Sequence, residues 1–361
     1  MLTLEALRVG ILRMLNKDQS QEVGAGALAI QAGGNVIVGI SAADARAIAL
    51  DVAKATFYEL TGAARDTMSA RVEEITEKVI SQIERDYPEG LKKAVDPDFQ
   101  HALYTVQKNY GRTGDVDLGD LLVDLLVDRS KQDKRDFLQI VLNESLEVVP
   151  KLTSGQVANL ALLFLCCYTT NNGVVNDVQL GLYFDKNILP LTDRLVKSSP
   201  SFQHLQFTGC GSVQMISRLL EDALQTQYKG LFSNGFTREQ ADIELLPIRT
   251  RRRFLMDCVN KQGNLQVRAQ NSAALMSMYE EHGVDEGTRK KIDRLFEMGQ
   301  MSQAEVRAKC VALRGYMKQV FAFWASCEMK SFTLTSVGIA IGHANMKRIA
   351  GEFSDLSQWI N

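Results

Sequence analysis

The chain has 361 residues, of which 45% are hydrophobic and 23% are charged, and this composition is typical of a soluble globular protein. Its 41 basic and 43 acidic residues give a formal net charge of −2, which excludes a surface that attracts nucleic acid or anionic lipid everywhere. The longest apolar stretch, residues 160–168, is far shorter than the roughly 18 residues of a membrane-spanning helix.

The N-terminal region predicts an amphipathic helix and then a β-hairpin. Leucines and isoleucines recur at helical spacing over residues 3–16. Two short β-branched runs, residues 27–31 and 35–40, flank Gly33 and Gly34, and adjacent glycines at such a place indicate a tight turn. A single hairpin is not stable in water, so we expect its strands to pair with this chain or with another copy.

A long helix is predicted directly after the hairpin. Ser41 followed by Asp44 resembles a capping box, and no proline interrupts the chain before Pro88. We therefore expect a helix over residues 42–86, bent near Gly62, whose apolar stripe needs a folded-back helix or a neighbouring subunit. The hairpin and this stripe supply the candidate oligomerisation residues: Ile30, Gln31, Gly33, Gly34, Val36, Val38, Ile48 and Val52.

The remaining elements are predicted as helices, apart from one short strand at residues 332–334. The helices are expected at residues 96–110, 117–130, 132–149, 154–170, 176–197, 212–228, 237–245, 267–281, 286–298, 303–328 and 336–350. The fold class is therefore mainly α, a multi-helix array with a small N-terminal β-hairpin followed by a long helix. Four segments are proposed as domains: 1–40, 41–90, 91–198 and 199–361.

Several blocks resemble an uncharacterised bacterial family of mostly helical, cytoplasmic proteins. They are Gln31–Ser41, Phe57–Gly62, Leu118–Ser130, Val148–Thr169 and Leu334–Asn345. The resemblance implies a bacterial, cytoplasmic protein, and it brings no activity or catalytic residue with it. Strand segments similar to QAGGNVIVG also occur beside effector or sensor modules of bacterial anti-phage proteins, so the resemblance implies a defence context as well.

An arginine cluster is the densest basic feature of the chain. Arg249, Arg251, Arg252 and Arg253 precede Phe254, so guanidinium groups for phosphate stand beside a ring for stacking. The alternative interpretation is that these arginines pair with acidic residues of the same chain or lie at a subunit contact.

A row of aspartates is the densest acidic feature. Asp120, Asp124 and Asp128 recur every four residues behind Asp115 and Asp117, a spacing that would suit a cation or a basic partner. Leucines occupy the opposite stripe of the same helix, so a solvated helix face explains the row more simply.

Signals for catalysis and for cofactors are weak. Cys210 lies in a glycine turn before a predicted helix capped by Ser212, where a thiol pKa can be lowered, and His204 is near in sequence. No Gly-Lys-Ser/Thr ending follows that turn, and the four histidines are scattered. The six cysteines form no C-x-x-C pair, as in reduced cytoplasmic proteins. The sequence predicts no cofactor and no metal.

Three hypotheses follow. The first is a non-enzymatic, self-assembling helical scaffold or sensor, in bacterial anti-phage defence, acting as a homo-oligomer with or without a further protein partner and without a membrane. The second is a protein that binds phosphate or nucleic acid through the arginine cluster. The third is an enzyme whose site is assembled from distant residues. We favour the first because no convergent set of titratable groups is visible in the sequence.

Overall fold

The computed structural model describes residues 40–54, 61–351 and 353–361. The described chain is mainly α, as predicted, with two small antiparallel strand pairs. The predicted first helix and the β-hairpin, including the candidate residues Ile30 to Val38, lie outside the described residues.

The predicted helix over residues 42–86 is not continuous. The structure has α1 (Ala42–Lys54) and α2 (Gly62–Asp86), and the extended backbone of Thr61 with the positive φ of 55° at Gly62 starts the second helix anew. The expected cap of α1 is confirmed, because the Ser41 and Asp44 side chains each accept the other's backbone N–H. Helix α1 packs against α2, so the stripe is covered at least in part within the chain.

The main hydrophobic core is built around a helix that is apolar on all sides. Thr153 and Gln156 form a capping box at the start of this helix. The helices of this body are α3 (Pro97–Thr113), α4 (Val116–Ser130), α5 (Phe137–Val148), α6 (Ser154–Tyr168) and α16 (Ser336–Ala350). Helix α16 lies close against α6 because Gly342 has no side chain; a Cβ there would lie 2.8 Å from the carbonyl oxygen of Leu160.

Shorter helices and one strand pair complete this body. Strand β1 (Gly211–Val213) pairs antiparallel with β4 (Phe332–Leu334), the strand that the sequence predicts. The helices predicted at 176–197, 212–228 and 303–328 are too long: each is interrupted, and residues 211–213 form a strand. The helices observed are α7 (Asp177–Asn187), α8 (Ser199–Phe207), α9 (Leu220–Gln227), α14 (Gln303–Leu313) and α15 (Met317–Ser326), with a 3₁₀ helix at Leu189–Arg194.

A second, smaller hydrophobic cluster includes Phe236, Phe254, Tyr279 and Phe296. A hairpin that the sequence does not predict lies within it, because residues 265–267 pair as a strand instead of opening a helix. The elements are α10 (Arg238–Ile243), α11 (Ile248–Phe254), β2 (Leu255–Asp257), β3 (Leu265–Val267), α12 (Ser272–His282) and α13 (Glu286–Glu297).

The C-terminal residues fold back onto the main core. Leu356 and Ile360 are buried, and the indole N–H of Trp359 donates to the carbonyl oxygen of Tyr168 at 2.7 Å. The main cluster extends from Ala45 to Ile360, while the predicted domain limits stay predictions. Among the described residues, no helix has the length and apolar character needed to cross a membrane.

Candidate functional site

Helix α11 presents the arginine cluster, and its apolar residues fix which way the helix faces. Leu246 and Phe254 are buried in the smaller cluster at either end of it. The Arg251 guanidinium turns back toward α10, where it forms an ion pair with Asp242 and donates to the carbonyl oxygens of Ala241 and Leu246 at 3.1 Å each. Arg251 therefore holds the turn before α11 through contacts within the chain, as the alternative interpretation of the cluster expects for this residue.

The other three arginines surround a cavity of about 670 Å³ together with Arg268. Arg268 directly follows β3, and its backbone N–H donates to the carbonyl oxygen of Phe254 at 2.8 Å, which fixes it beside the end of α11. Ile248 supplies the apolar part of the wall. We call this set, Ile248, Arg249, Arg252, Arg253 and Arg268, the arginine pocket.

The arginine pocket has a surplus of positive charge. Arg249, Arg252 and Arg268 are exposed and Arg253 is half-buried. Within the described chain, none of these four guanidinium groups has a carboxylate or other hydrogen-bond partner. Like charges around one cavity repel each other, and an anion in the cavity would relieve that repulsion.

Three exposed apolar side chains lie on α10, in the turn after it and at the start of α11, and Ile248 is the one that lines the pocket. Ile243, Leu245 and Ile248 are 77%, 78% and 72% exposed, respectively. Leu245 has a φ of 50°, an uncommon backbone conformation for a bulky residue, in the turn that precedes α11. The predicted stacking ring is not available here, because Phe254 is buried and packs on Tyr279 and His282.

The aspartate row on α4 is paired within the chain. Asp120 accepts from Lys78 at 3.1 Å, Asp124 accepts from Gln82 at 2.6 Å, and Asp128 contacts a lysine. Asp124 and Asp128 are buried, and burial raises the pKa of Asp124. A fully solvated face is therefore wrong for these two residues, and no group of three or more metal-ligating side chains occurs in the described part of the chain.

Cys210 is not placed as a nucleophile. It is buried and precedes β1, so the helix start that the sequence predicts at Ser212 is wrong. Burial raises the pKa of the Cys210 thiol. His204 contacts the side chain of Gln156 at 3.0 Å through Nδ1.

A protein-family model with the description ":-like" matches residues 39–360. The chain belongs to this family. The description gives no activity, ligand or partner, so membership supports the predicted relationship to an uncharacterised family and adds nothing on chemistry. No curated protein and no solved structure matches the chain.

Sequence reasoning missed Arg268. It lies 15 positions after Arg253, at the predicted start of a helix, and only the β2–β3 hairpin brings it to α11. The turn residues between the two strands, Asn260, Gly263 and Asn264, were the available signal for this hairpin.

Proposed function

We propose that the protein binds the phosphate groups of a polyanion, with single-stranded nucleic acid as the ligand to test, through the arginine pocket. One observation supports this most directly: four guanidinium groups from α11 and from the end of β3 line one cavity without a carboxylate partner among the described residues. Guanidinium groups bind phosphate in a bidentate, charge-assisted manner.

The expected recognition is electrostatic and independent of base sequence. The pocket is open and basic, and its neighbouring ring, Phe254, is buried, so the phosphate backbone is the part of a nucleic acid that it can contact. A net charge of −2 for the whole chain restricts this attraction to the pocket.

Charge reversal in the pocket tests the proposal. We expect the double variant Arg249→Glu/Arg252→Glu to bind a fluorescent 20-nucleotide single strand about tenfold more weakly or worse, because two charge-assisted contacts become repulsive. The measurement is fluorescence anisotropy. Lys134→Glu/Arg135→Glu is the matched control, because both residues are exposed, lie outside the pocket and change the net charge equally. Equal weakening by both variants would contradict the proposal.

The salt dependence gives a second measurement on the same proteins. If all four arginines contact phosphates of a single strand, the logarithm of the affinity should fall with the logarithm of salt concentration with a slope of about −2.8. The double variant should show a slope of about −1.4. Binding without salt dependence would exclude the pocket as the binding site.

We propose self-assembly as a second function, in which the chain acts as a non-enzymatic scaffold or sensor. Exposed apolar side chains on and beside α7 support it: Val178 and Leu182 lie one turn apart on the helix, Val175 and Leu189 flank it, and the four are 43–72% exposed. Exposed apolar patches often mark protein contacts. The partly buried Ile48 and Val52 of α1 retain some exposed surface for the contact that the sequence predicts.

Native mass spectrometry tests self-assembly. We expect an oligomer for the full chain and fewer subunits for Val178→Glu/Leu182→Glu, because charged side chains at these positions oppose burial in a subunit contact. Deleting residues 21–40 should likewise reduce the number of subunits, and an unchanged number would exclude the hairpin from the contact. Phe207→Glu/Ile216→Glu places the same charges at residues that are 88% and 84% exposed elsewhere, and should leave the mass unchanged.

We also propose that the protein acts in the bacterial cytoplasm as part of anti-phage defence. All six cysteines are free, which suits a reducing compartment, and the defence role rests on the resemblance of the QAGGNVIVG segment. Equal phage plating efficiency on cells with and without the gene, over a broad phage panel, would argue against the defence role.

A further inference from the structure

A second cavity, of about 380 Å³, lies between α4, α6, α16 and the 3₁₀ helix at Leu189–Arg194. This volume lies within the range of small-molecule sites. Most of its wall is apolar, with side chains from all four elements: Leu118, Leu121, Val157, Leu191 and Ile349.

Asn345 is the unexplained polar group of this cavity. It lines the cavity from α16 and is only 6% exposed. Its carboxamide makes no hydrogen bond to the described residues, and neither amide atom is among the fully enclosed unpartnered polar atoms of that part of the chain, so both are reached by solvent. Because Asn345 lines the cavity and has no partner from the described chain, its Nδ2 is an available donor for a ligand inside it.

Two arginines stand at the rim and share one carboxylate. Arg194 donates to Asp117 at 3.0 Å, and Arg348 contacts the other oxygen of that carboxylate at 3.3 Å. Arg348 also donates to the backbone carbonyl oxygen of Asp117 at 2.7 Å. Both guanidinium groups are thus paired with Asp117, and each retains N–H groups that no described acceptor takes.

The other two carboxylates of the rim are already satisfied. Asp120 accepts from Lys78 at 3.1 Å. Asp115 accepts from the backbone N–H of Leu118 at 3.1 Å as the N-cap of α4, where the helix dipole favours its negative charge. The cavity wall carries three carboxylates and two guanidinium groups, so a ligand carboxylate would be held by the N–H donors of Arg194 and Arg348 that no described residue accepts.

We propose that this cavity binds a small amphipathic carboxylate. The apolar body would lie against the leucine and valine side chains, and the carboxylate would accept from Arg194 or Arg348 and from Nδ2 of Asn345. The arrangement separates an apolar interior from a charged entrance, as sites for such ligands require. It is independent of the arginine pocket, so Arg249→Glu/Arg252→Glu should bind the same ligand unchanged.

Calorimetric titration of the full chain with octanoate, octan-1-ol and octylamine tests the ligand class. All three probes have the same apolar body, so their differences report recognition of the head group. We expect octanoate to bind at least tenfold more tightly than the alcohol or the amine. Equal affinity for octanoate and octan-1-ol, or no saturable binding of octanoate, would overturn the proposal.

Substitution of Asn345 tests the position of the head group. Asn345→Asp keeps the side-chain size and adds a negative charge, so octanoate binding should be lost and the preference should shift toward octylamine. Asn345→Leu should weaken octanoate at least fivefold without that shift. Asn172→Asp is the matched control, because Asn172 is exposed and outside this cavity. Far-ultraviolet circular dichroism verifies folding, and unchanged octanoate binding by a folded Asn345→Asp protein refutes the assignment.

Discussion

His343 lies among three aromatic rings at the junction of α16 and the C-terminal residues. The ring centroids of Phe164, Phe353 and Trp359 lie 5.8, 5.5 and 5.6 Å from that of the imidazole. Its Nε2 donates to the carbonyl oxygen of Ser354 at 2.7 Å, whereas Nδ1 has no partner among the described residues. Burial lowers the pKa of His343 from its ordinary value, because removal of the ring from water disfavours its charged form.

This lowered pKa predicts a loss of stability on mild acidification. Below the ordinary histidine pKa, near 6.5, the unfolded chain takes up a proton that the folded chain resists, so the free energy of unfolding falls as pH decreases from that value toward the folded pKa. One proton limits this slope to about 1.4 kcal/mol per pH unit. Urea titrations between pH 7 and pH 5 measure it.

The variant His343→Gln isolates the histidine in this experiment. Glutamine keeps an N–H donor for Ser354 but does not titrate, so its stability should change less over the same pH range. If the two proteins show the same pH dependence, the acid sensitivity arises from other groups.

At the candidate site, the sequence predicts which residues are charged but not which of them are paired or buried. The density of Arg249, Arg252 and Arg253 was visible as a charge cluster. The contacts of Arg251 with α10 and the burial of Phe254 were not visible, because both depend on how α11 packs on the smaller cluster. Asn345 likewise has no sequence signal, since its environment is created by four separate elements.

At the scale of elements, helices with strong local signals were predicted best. The capping boxes at Thr153 and Ser302 mark α6 and α14, and the helix start at residue 336 is confirmed. The errors are the three-residue strands: β1 pairs with β4 more than 100 positions later, so pairing between distant segments overrides local propensity there. Helix lengths also failed, as at Arg314, whose extended backbone ends α14 before Gly315.

The contact between α16 and β1 predicts a sensitive glycine. A Cβ on Gly338 would overlap the carbonyl oxygen of Cys210, and backbone cannot move aside as a flexible side chain can. We expect Gly338→Ala to destabilise the protein by about 1–3 kcal/mol, the usual cost of overpacking. Gly315→Ala is the control, since nothing lies within 4 Å of the added methyl group and its φ is not positive. Chemical denaturation compares the two, and equal stabilities would contradict the contact.

At the scale of the whole molecule, the C-terminal residues complete the main core. Trp359 packs on Phe164 with ring centroids 5.0 Å apart, and its indole N–H is hydrogen-bonded. We expect Trp359→Ala to lower the free energy of unfolding by about 3 kcal/mol, the lower end for removal of a packed tryptophan, because this ring is only partly buried. Thermal denaturation measures both variants. Phe207→Ala, at a residue that is 88% exposed, should leave the free energy of unfolding almost unchanged. A similar loss for both would mean that the tail is not anchored by this ring.

The pairing of α6 with α16 also has a consequence for biosynthesis. Leu160 and Gly342, which bring the two helices together, are 182 positions apart (342 minus 160), so α6 leaves the ribosome long before its partner is made. At about 5–20 residues per second, the delay amounts to roughly 10 to 40 seconds. During that time a helix that is apolar on all sides lacks its main covering surface, which makes the nascent chain a client for chaperones that hold exposed apolar segments.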